Sequence, residues 1–240
     1  MKRNYEGVFR LQLPARMPII LRVDGRAFHT LTRHCHRPFD AGLMAAMDGV
    51  AVALCEEISG AQVAYVQSDE VSVLIHPYKR LQSQCWFAGD VQKIVSISAS
   101  IATAAFNQLH PTAFTQSLAV ANFDSRVFVL PEAEVCNYFV WRQKDAERNS
   151  LQMLARSLYS HAALDEKNGS DLQEMCFQKG KNWNDLPAAQ KRGRCIVPIA
   201  AHAPEGSVIA RGWATDPDTP IFTQDRNYIE RFLATEAEDE

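Results

Sequence analysis

Ala61-Gln62-Val63-Ala64-Tyr65-Val66-Gln67-Ser68-Asp69-Glu70-Val71-Ser72-Val73-Leu74-Ile75 holds two β-rich runs, 61–66 and 71–75, around a polar Gln67-Ser68-Asp69-Glu70 link. The pattern predicts a hairpin, although the turn has no glycine. Just upstream, Leu43, Met44, Met47, Val50, Ala51, Leu54 and Ile58 recur at helical spacing behind Asp40, a residue suited to an N-cap, so a core-facing helix is predicted over 40–58. Further upstream, Pro18-Ile19-Ile20-Leu21-Arg22-Val23 is a short apolar run that stops at Asp24-Gly25, the mark of a buried strand entering a turn. Downstream, Val91, Ile94, Val95, Ser98, Ile101, Ala102 and Ala105 give the stretch 87–109 a small-residue apolar face suited to packing on a sheet. Val127-Phe128-Val129-Leu130 is then a fourth strand.

The first 130 residues therefore spell β-α-β-β-α-β, an α+β ferredoxin-like split unit, which is also the core of polymerase palms and nucleotide cyclases. A third helix is predicted over 132–160, opening a C-terminal helical extension. The remainder, with Pro187, Pro198, Pro204, Pro217 and Pro220, looks looser. The expected division is a palm-like core at 1–135, a helical extension at 136–213 packed on it, and an acidic tail at 214–240.

The 240 residues are 47% hydrophobic, which excludes a disordered or fibrous chain. Net charge is −3, from 25 basic and 28 acidic side chains, so no global basic excess announces nucleic acid. The average hides an asymmetry: residues 214–240 hold eight acids against two arginines, leaving residues 1–213 with an excess of three positive charges and room for a polyanionic partner. Cys35, Cys55, Cys85, Cys136, Cys176 and Cys195 form no CxxC pair and match no zinc or disulfide framework, which points to reduced thiols in a cytoplasmic protein. No run approaches the roughly 18 apolar residues of a membrane span, so a soluble protein without membrane contact is expected.

In the split β-α-β-β-α-β topology the first and third strands are antiparallel neighbours, which would bring Asp24 to Asp69. Two carboxylates converging at one sheet edge make a hard-oxygen site for Mg²⁺, and two such ions can clamp the attacking and leaving oxygens of a phosphoryl transfer. Glu70 joins them as a candidate catalytic acid, helping from behind. A plain turn at Asp24-Gly25 and a solvated hairpin tip at Asp69-Glu70 are the alternative. After Asp24, the segment Gly25-Arg26-Ala27-Phe28-His29 offers a run of backbone N–H groups as a triphosphate cradle, with Arg26 and His29 available to the phosphates. On the third helix Tyr138, Arg142, Asp145, Asn149, Gln152 and Arg156 line one polar face, with Trp141 beside them. Cationic, amide and aromatic groups suit RNA as well as they suit a solvated helix.

Four segments, Arg22-Val23-Asp24-Gly25-Arg26-Ala27-Phe28-His29, Gln67-Ser68-Asp69-Glu70, Phe123-Asp124-Ser125-Arg126 and Trp141-Arg142-Gln143-Lys144-Asp145, resemble in order the motifs of the tRNA(His) guanylyltransferase family of 3′-5′ nucleotide-adding polymerases. The likeness covers about residues 5–195 and extends to Asn182-Trp183-Asn184-Asp185-Leu186-Pro187 and Lys191-Arg192-Gly193. It implies a palm in which Asp24, Asp69 and the Gly25 carbonyl hold two Mg²⁺ ions, and in which residues Asp24 to His29 with Ser68 and Asp69 bind a nucleoside triphosphate. Arg37 and Lys93 align with basic phosphate contacts of the family. Arg126, Arg142, Asn149, Lys191 and Arg192 fall to RNA. The 1–135 core is accordingly expected to be catalytic and the 136–213 extension to contact RNA.

The reaction so implied adenylylates a tRNA 5′-monophosphate with ATP, lets the 3′-hydroxyl of an incoming GTP or other NTP attack it, and can finally lose pyrophosphate. Relatives are commonly tetramers, so a homotetramer is expected. Where eukaryotic members carry His-Ile-Asn-Asn-Leu-Tyr-Asn, this chain has Glu147-Arg148-Asn149-Ser150-Leu151-Gln152-Met153, matching only at Asn149 and Leu151. That departure resembles the bacterial and archaeal guanylyltransferase-like branch, which favours templated repair of 5′-truncated tRNAs. A palm-type nucleotide cyclase or dinucleotide synthase, and a non-catalytic RNA-binding protein, are the competing readings.

Overall fold

The hairpin at 61–75 forms the middle of a mixed α+β structure. The computed structural model describes residues 1–79, 83–109, 120–200 and 211–235. In chain order the strand β1 (Ile19–Gly25) leads through a short helix α1 (Phe28–Leu31) to helix α2 (Ala41–Glu57), the hairpin β2 (Ala61–Gln67) and β3 (Glu70–Ile75), helix α3 (Val91–Leu109), β4 (Phe123–Val129) and the long helix α4 (Glu132–Leu158). Beyond lie α5 (Gly169–Gln178), α6 (Ala188–Lys191), β5 (Arg194–Ala200), β6 (Arg211–Asp216) and α7 (Asn227–Glu230). Among the described residues six strands form one antiparallel sheet in the order β4-β1-β3-β2-β5-β6, so the first four keep the split β-α-β-β-α-β arrangement.

Both faces of the sheet are covered. Ile19, Leu21 and Val23 of β1 point toward Met47, Val50 and Leu54 of α2 and Ile94 and Phe106 of α3. The alternate residue Ile20 joins Tyr65, Leu74, Phe139, Phe222 and Ile229 in a second core against α4. This two-sided burial is why β1 reads as an unbroken apolar run. A third cluster, Leu151, Leu154, Leu172 and Cys176, joins α5 to the outer end of α4. The Asp40 cap forms: its Oδ1 accepts from the Leu43 N–H at 2.9 Å and its Oδ2 from the His36 N–H at 2.8 Å. Burial would raise this carboxyl, and those N–H donors outweigh it and hold it below its ordinary range.

Three boundaries differ from the sequence reading. Helix α3 begins at Val91 and not at 87, because Phe87, Ala88 and Gly89 take positive φ and Asp90 then accepts from the Lys93 N–H at 3.1 Å. The stretch after 160, read as loose, contributes two strands. β5 pairs with β2 through Ala64↔Ile196, Tyr65↔Cys195 and Val66↔Arg194, so the sheet runs across the division drawn at 135. The acidic tail starting at 214 is also corrected. Ala214–Asp216 lie in β6, Phe222 and Ile229 are fully buried, and the Tyr228 hydroxyl donates to Asp216 at 2.5 Å. Tyr228, Ile229, Phe232 and Leu233 recur at helical spacing, but the run is short and set among eight acids, so composition masks its burial. Residues 236–240 of that tail lie outside the described residues.

All six cysteines are free, and among the described residues no helix is long and apolar enough to cross a membrane.

Candidate active site

β1 ends where the β2–β3 turn begins. The register sets Asp24 opposite Glu70 on β3 and opposite Asp124 on β4, while the Gly25 N–H donates to the Asp69 carbonyl at 3.0 Å. The turn is tight, with Gln67 paired to Glu70, and Ser68 takes φ +49° in place of the usual glycine. Asp24 and Asp69 are thus held together by the end of one strand and the tip of the adjoining hairpin.

The two acids share a charge problem. Burial and then the Asp24 charge push the Asp69 carboxyl up to about 6. Burial and then Asp124 raise Asp24, against the pull of Arg126, Arg22 and Arg142. Among the described residues neither acid has an ion-pair partner. Two close, partly desolvated carboxylates, each without an ion-pair partner among the described residues, fit a divalent cation. Mg²⁺ is commonly held by one or two carboxylates together with phosphate and water oxygens, so this pair of acids fits that ion.

Beside these acids opens a cleft of about 480 Å³ lined by Gly25, Ala27, His29, Arg37, Ser68 and Asp69, with Asp40 and Arg156 also on its walls. Its floor depends on Gly25, where a Cβ would fall 2.4 Å from the Phe28 ring. That ring is anchored edge-on to Phe106 and Phe123 at 5.1 and 5.2 Å. Ala27, at φ +56°, turns the chain into α1. A smaller adjoining cavity of about 80 Å³ shares Asp40, Leu43, Ser68 and Met153 and adds Asn149, Lys191 and Gly193.

The structure gathers Asp24, Gly25, Ala27, His29, Arg37, Ser68 and Asp69 at one place, with Asn149 and Lys191 next to them. Other candidates go elsewhere. Phe28 lines the cleft, yet its ring belongs to the core. Arg26 is exposed and donates its N–H to the Asn122 carbonyl at 2.8 Å. Lys93 sits exposed in the first turn of α3, outside the residues that line the cleft. Arg126 is half-exposed and paired with Asp124 at 2.9 Å. The Arg192 carbonyl accepts from the Tyr65 hydroxyl at 2.6 Å.

Two candidates need correction. Glu70, read as a catalytic acid, is buried, and both its oxygens are taken by Arg142, at 2.8 Å from Nε and 2.6 Å from Nη2. Arg142, read as an RNA contact, is buried with it and is covered by Trp141, its guanidinium 4.4 Å from the ring centroid. Both face inward because the stripe of α4 that carries Arg142 is the stripe that packs beneath the sheet.

Two residues take places at the site that their motifs alone do not assign: Asp124, quoted in the Phe123–Arg126 segment, and Arg156, on the polar face of α4. The first gains its place beside Asp24 only from the β1–β4 register; the second lies seven residues beyond Asn149 on the same face of α4, and that face carries it to the wall of the cleft.

Comparison with known proteins agrees with this fold. A family model described as tRNAHis guanylyltransferase (Thg1) matches residues 1–131. A bacterial tRNA(His) guanylyltransferase (Thg1)-like protein solved in complex with ATP is 44% identical, with 96% of each chain covered and a TM-score of 0.87. A bacterial Thg1-like protein in complex with GTP is 42% identical over the same shares, at 0.82. Among curated relatives, a probable tRNA(His) guanylyltransferase of Drosophila melanogaster is 28% identical over 194 residues, 75% of this chain and 66% of that protein, just under two thirds of its length. The tRNA(His) guanylyltransferase of Schizosaccharomyces pombe is 28% identical over 210 residues, 80% of this chain and 76% of its own. With more than half its length matched by the family model, and with the paired acids, turn and cleft in place, the chain belongs to the tRNAHis guanylyltransferase family (Thg1), a family of nucleotidyltransferases.

Proposed function

We propose that this chain is a Mg²⁺-dependent tRNA nucleotidyltransferase that adds nucleotides to a tRNA 5′ end in the 3′-5′ direction. The observation that carries the reading is the meeting of Asp24 and Asp69 at the rim of the Gly25–His29 cleft. The ATP and GTP bound by the two bacterial Thg1-like proteins support triphosphates as its substrates.

Asp24, Asp69 and the Gly25 carbonyl would hold two Mg²⁺ ions. When bound there, the ions supply charge that lowers the pKa of an attacking 3′-hydroxyl and neutralises the phosphates. The protein residues orient the reactants. His29, Arg37 and Arg156 line the cleft that would take the triphosphate, and Asn149 and Lys191 line the adjoining space. Arg126, half-exposed on the edge strand β4 beside Asp124, would meet the RNA backbone there. The first transfer forms a bond between a 5′-phosphate oxygen of the tRNA and the ATP α-phosphorus and releases pyrophosphate. In the second, the NTP 3′-hydroxyl oxygen attacks the activated 5′-phosphorus and AMP leaves. Departure from the eukaryotic motif after Asp145 supports templated repair of shortened tRNA 5′ ends as the main task, with G addition to tRNA(His) as a related capacity. Action in the cytoplasm as a homotetramer is part of the same proposal.

The test incubates the protein with Mg²⁺, ATP, all four NTPs and either a 5′-monophosphorylated tRNA lacking its first nucleotide or full-length tRNA(His). Products are resolved at single-nucleotide length. Extension of the truncated RNA by the template-matched base is expected. Extension of tRNA(His) alone by G overturns the repair assignment, and product made from NTPs without RNA supports a cyclase or dinucleotide synthase instead.

A further inference from the structure

The turn that carries Asp69 is gripped on both sides by one helix. Gln67 and Glu70 are the paired residues on either side of Ser68-Asp69, and each reaches α4. Glu70 receives two hydrogen bonds from Arg142, at 2.8 and 2.6 Å. Gln67 Nε2 reaches Asp145 Oδ2 at 3.5 Å. Arg142 and Asp145 are themselves joined at 2.9 Å, one turn apart on the same face. Around this core, Ser72 lies 3.4 Å from Glu70 and 2.7 Å from the Tyr138 hydroxyl, and Arg148 caps Asp145 from the solvent side.

Hairpin tips are ordinarily among the first parts of a sheet to open. This one also has a residue other than glycine at positive φ and two carboxylates pressed together, both of which favour opening. A buried ion pair is weak evidence for stability, since apolar replacements often serve as well, but it can specify geometry. Here the specified geometry is that of Asp69, because Glu70 is its neighbour in the chain and the cross-strand partner of Asp24.

We propose that Arg142 is a positioning residue: its two-pronged hold on Glu70, backed by Asp145, fixes the Ser68-Asp69 turn against Asp24 so that the two carboxylates can share divalent cations. The inference rests on the reading of Asp24 and Asp69 as cation ligands. Lysine retains the charge but cannot make the parallel two-bond contact.

The experiment compares the full-length chain with Arg142→Lys and with the double variant Glu70→Gln, Arg142→Gln, which leaves no unpaired buried charge if the single substitution unfolds the protein. Thermal melting establishes folding, Mn²⁺ titration followed by electron paramagnetic resonance reads cation binding in the presence of ATP, and steady-state kinetics separates kcat from KM. In the folded variants Mn²⁺ affinity and kcat are each expected to fall about 10- to 100-fold, the usual effect of removing a group that orients a metal ligand, with KM for ATP unchanged. Unchanged Mn²⁺ affinity in either folded variant overturns the proposal, even if kcat falls. If the unsubstituted chain binds no Mn²⁺, the cation-site reading of Asp24 and Asp69 fails, and the positioning role fails with it.

Discussion

Asp24→Asn and Asp69→Asn are each expected to lower nucleotidyl transfer by roughly a thousandfold or more, because each removes a charged ligand from ions that carry several kcal/mol of transition-state stabilisation. The same substitutions are expected to make the cation-free protein more stable. With the folded-state value of Asp69 raised to about 6, above its ordinary 3.8, the native state binds the proton more tightly than the unfolded chain does. The sign follows: ionising this carboxyl costs stability as the pH rises from about 4 to about 6, and the full penalty persists above that. In a chelating buffer Asp69→Asn should therefore melt a few degrees above the parent at pH 7 and level with it at pH 4. The affinity of the parent for Mn²⁺ should fall as the pH drops through about 6, where the proton competes with the cation. Loss of activity together with loss of stability at pH 7 would make Asp69 a structural acid.

Gly193→Ala is expected to destabilise the chain by about 3 kcal/mol or more, combining left-handed strain with overpacking. Gly193 has φ +77°, and an added Cβ would lie 2.5 Å from the Tyr65 hydroxyl and 2.7 Å from the Val66 carbonyl. Neither neighbour can give way. Tyr65 is fully buried with its hydroxyl donating to the Arg192 carbonyl at 2.6 Å, and Val66 is paired to Arg194 in the sheet. A melting temperature lower by roughly 10 °C is the expected readout. Because Gly193 also lines the small cavity beside Asn149 and Lys191, turnover should fall in whatever fraction stays folded. A variant that melts with the parent would mean that β5 can slide away from β2 at little cost.

The elements legible in the sequence are those whose apolar runs are continuous and end at polar turns or caps. The capped helix behind Asp40 shows a helical period, the hairpin at 61–75 and the run before Asp24 show as apolar stretches buried on both faces and bounded by polar turns, and the topology of these elements predicts that Asp24 meets Asp69. The contacts of Glu70 and Arg142 were not legible. A carboxylate beside a candidate metal ligand and an arginine in a polar helical stripe look the same whether they face solvent or each other. Only the register of β1, β3 and α4 turns the two inward. β5 and β6 were missed for a related reason: Arg194-Cys195-Ile196-Val197 is a short run interrupted by Pro198, and its burial comes from a strand more than a hundred residues earlier.

The position of β5 beside β2 bears on how the chain is made. While residues 194–216 are still unsynthesised, β2 exposes its outer row of backbone N–H and C=O groups, and Phe222 and Ile229 are missing from the core behind Tyr65. An emerging chain that already contains the paired acids and most of the cleft therefore carries an open sheet edge, a template for pairing with another such chain. The edge of β2 can be sealed only once residues 194–216 have emerged, long after both acids.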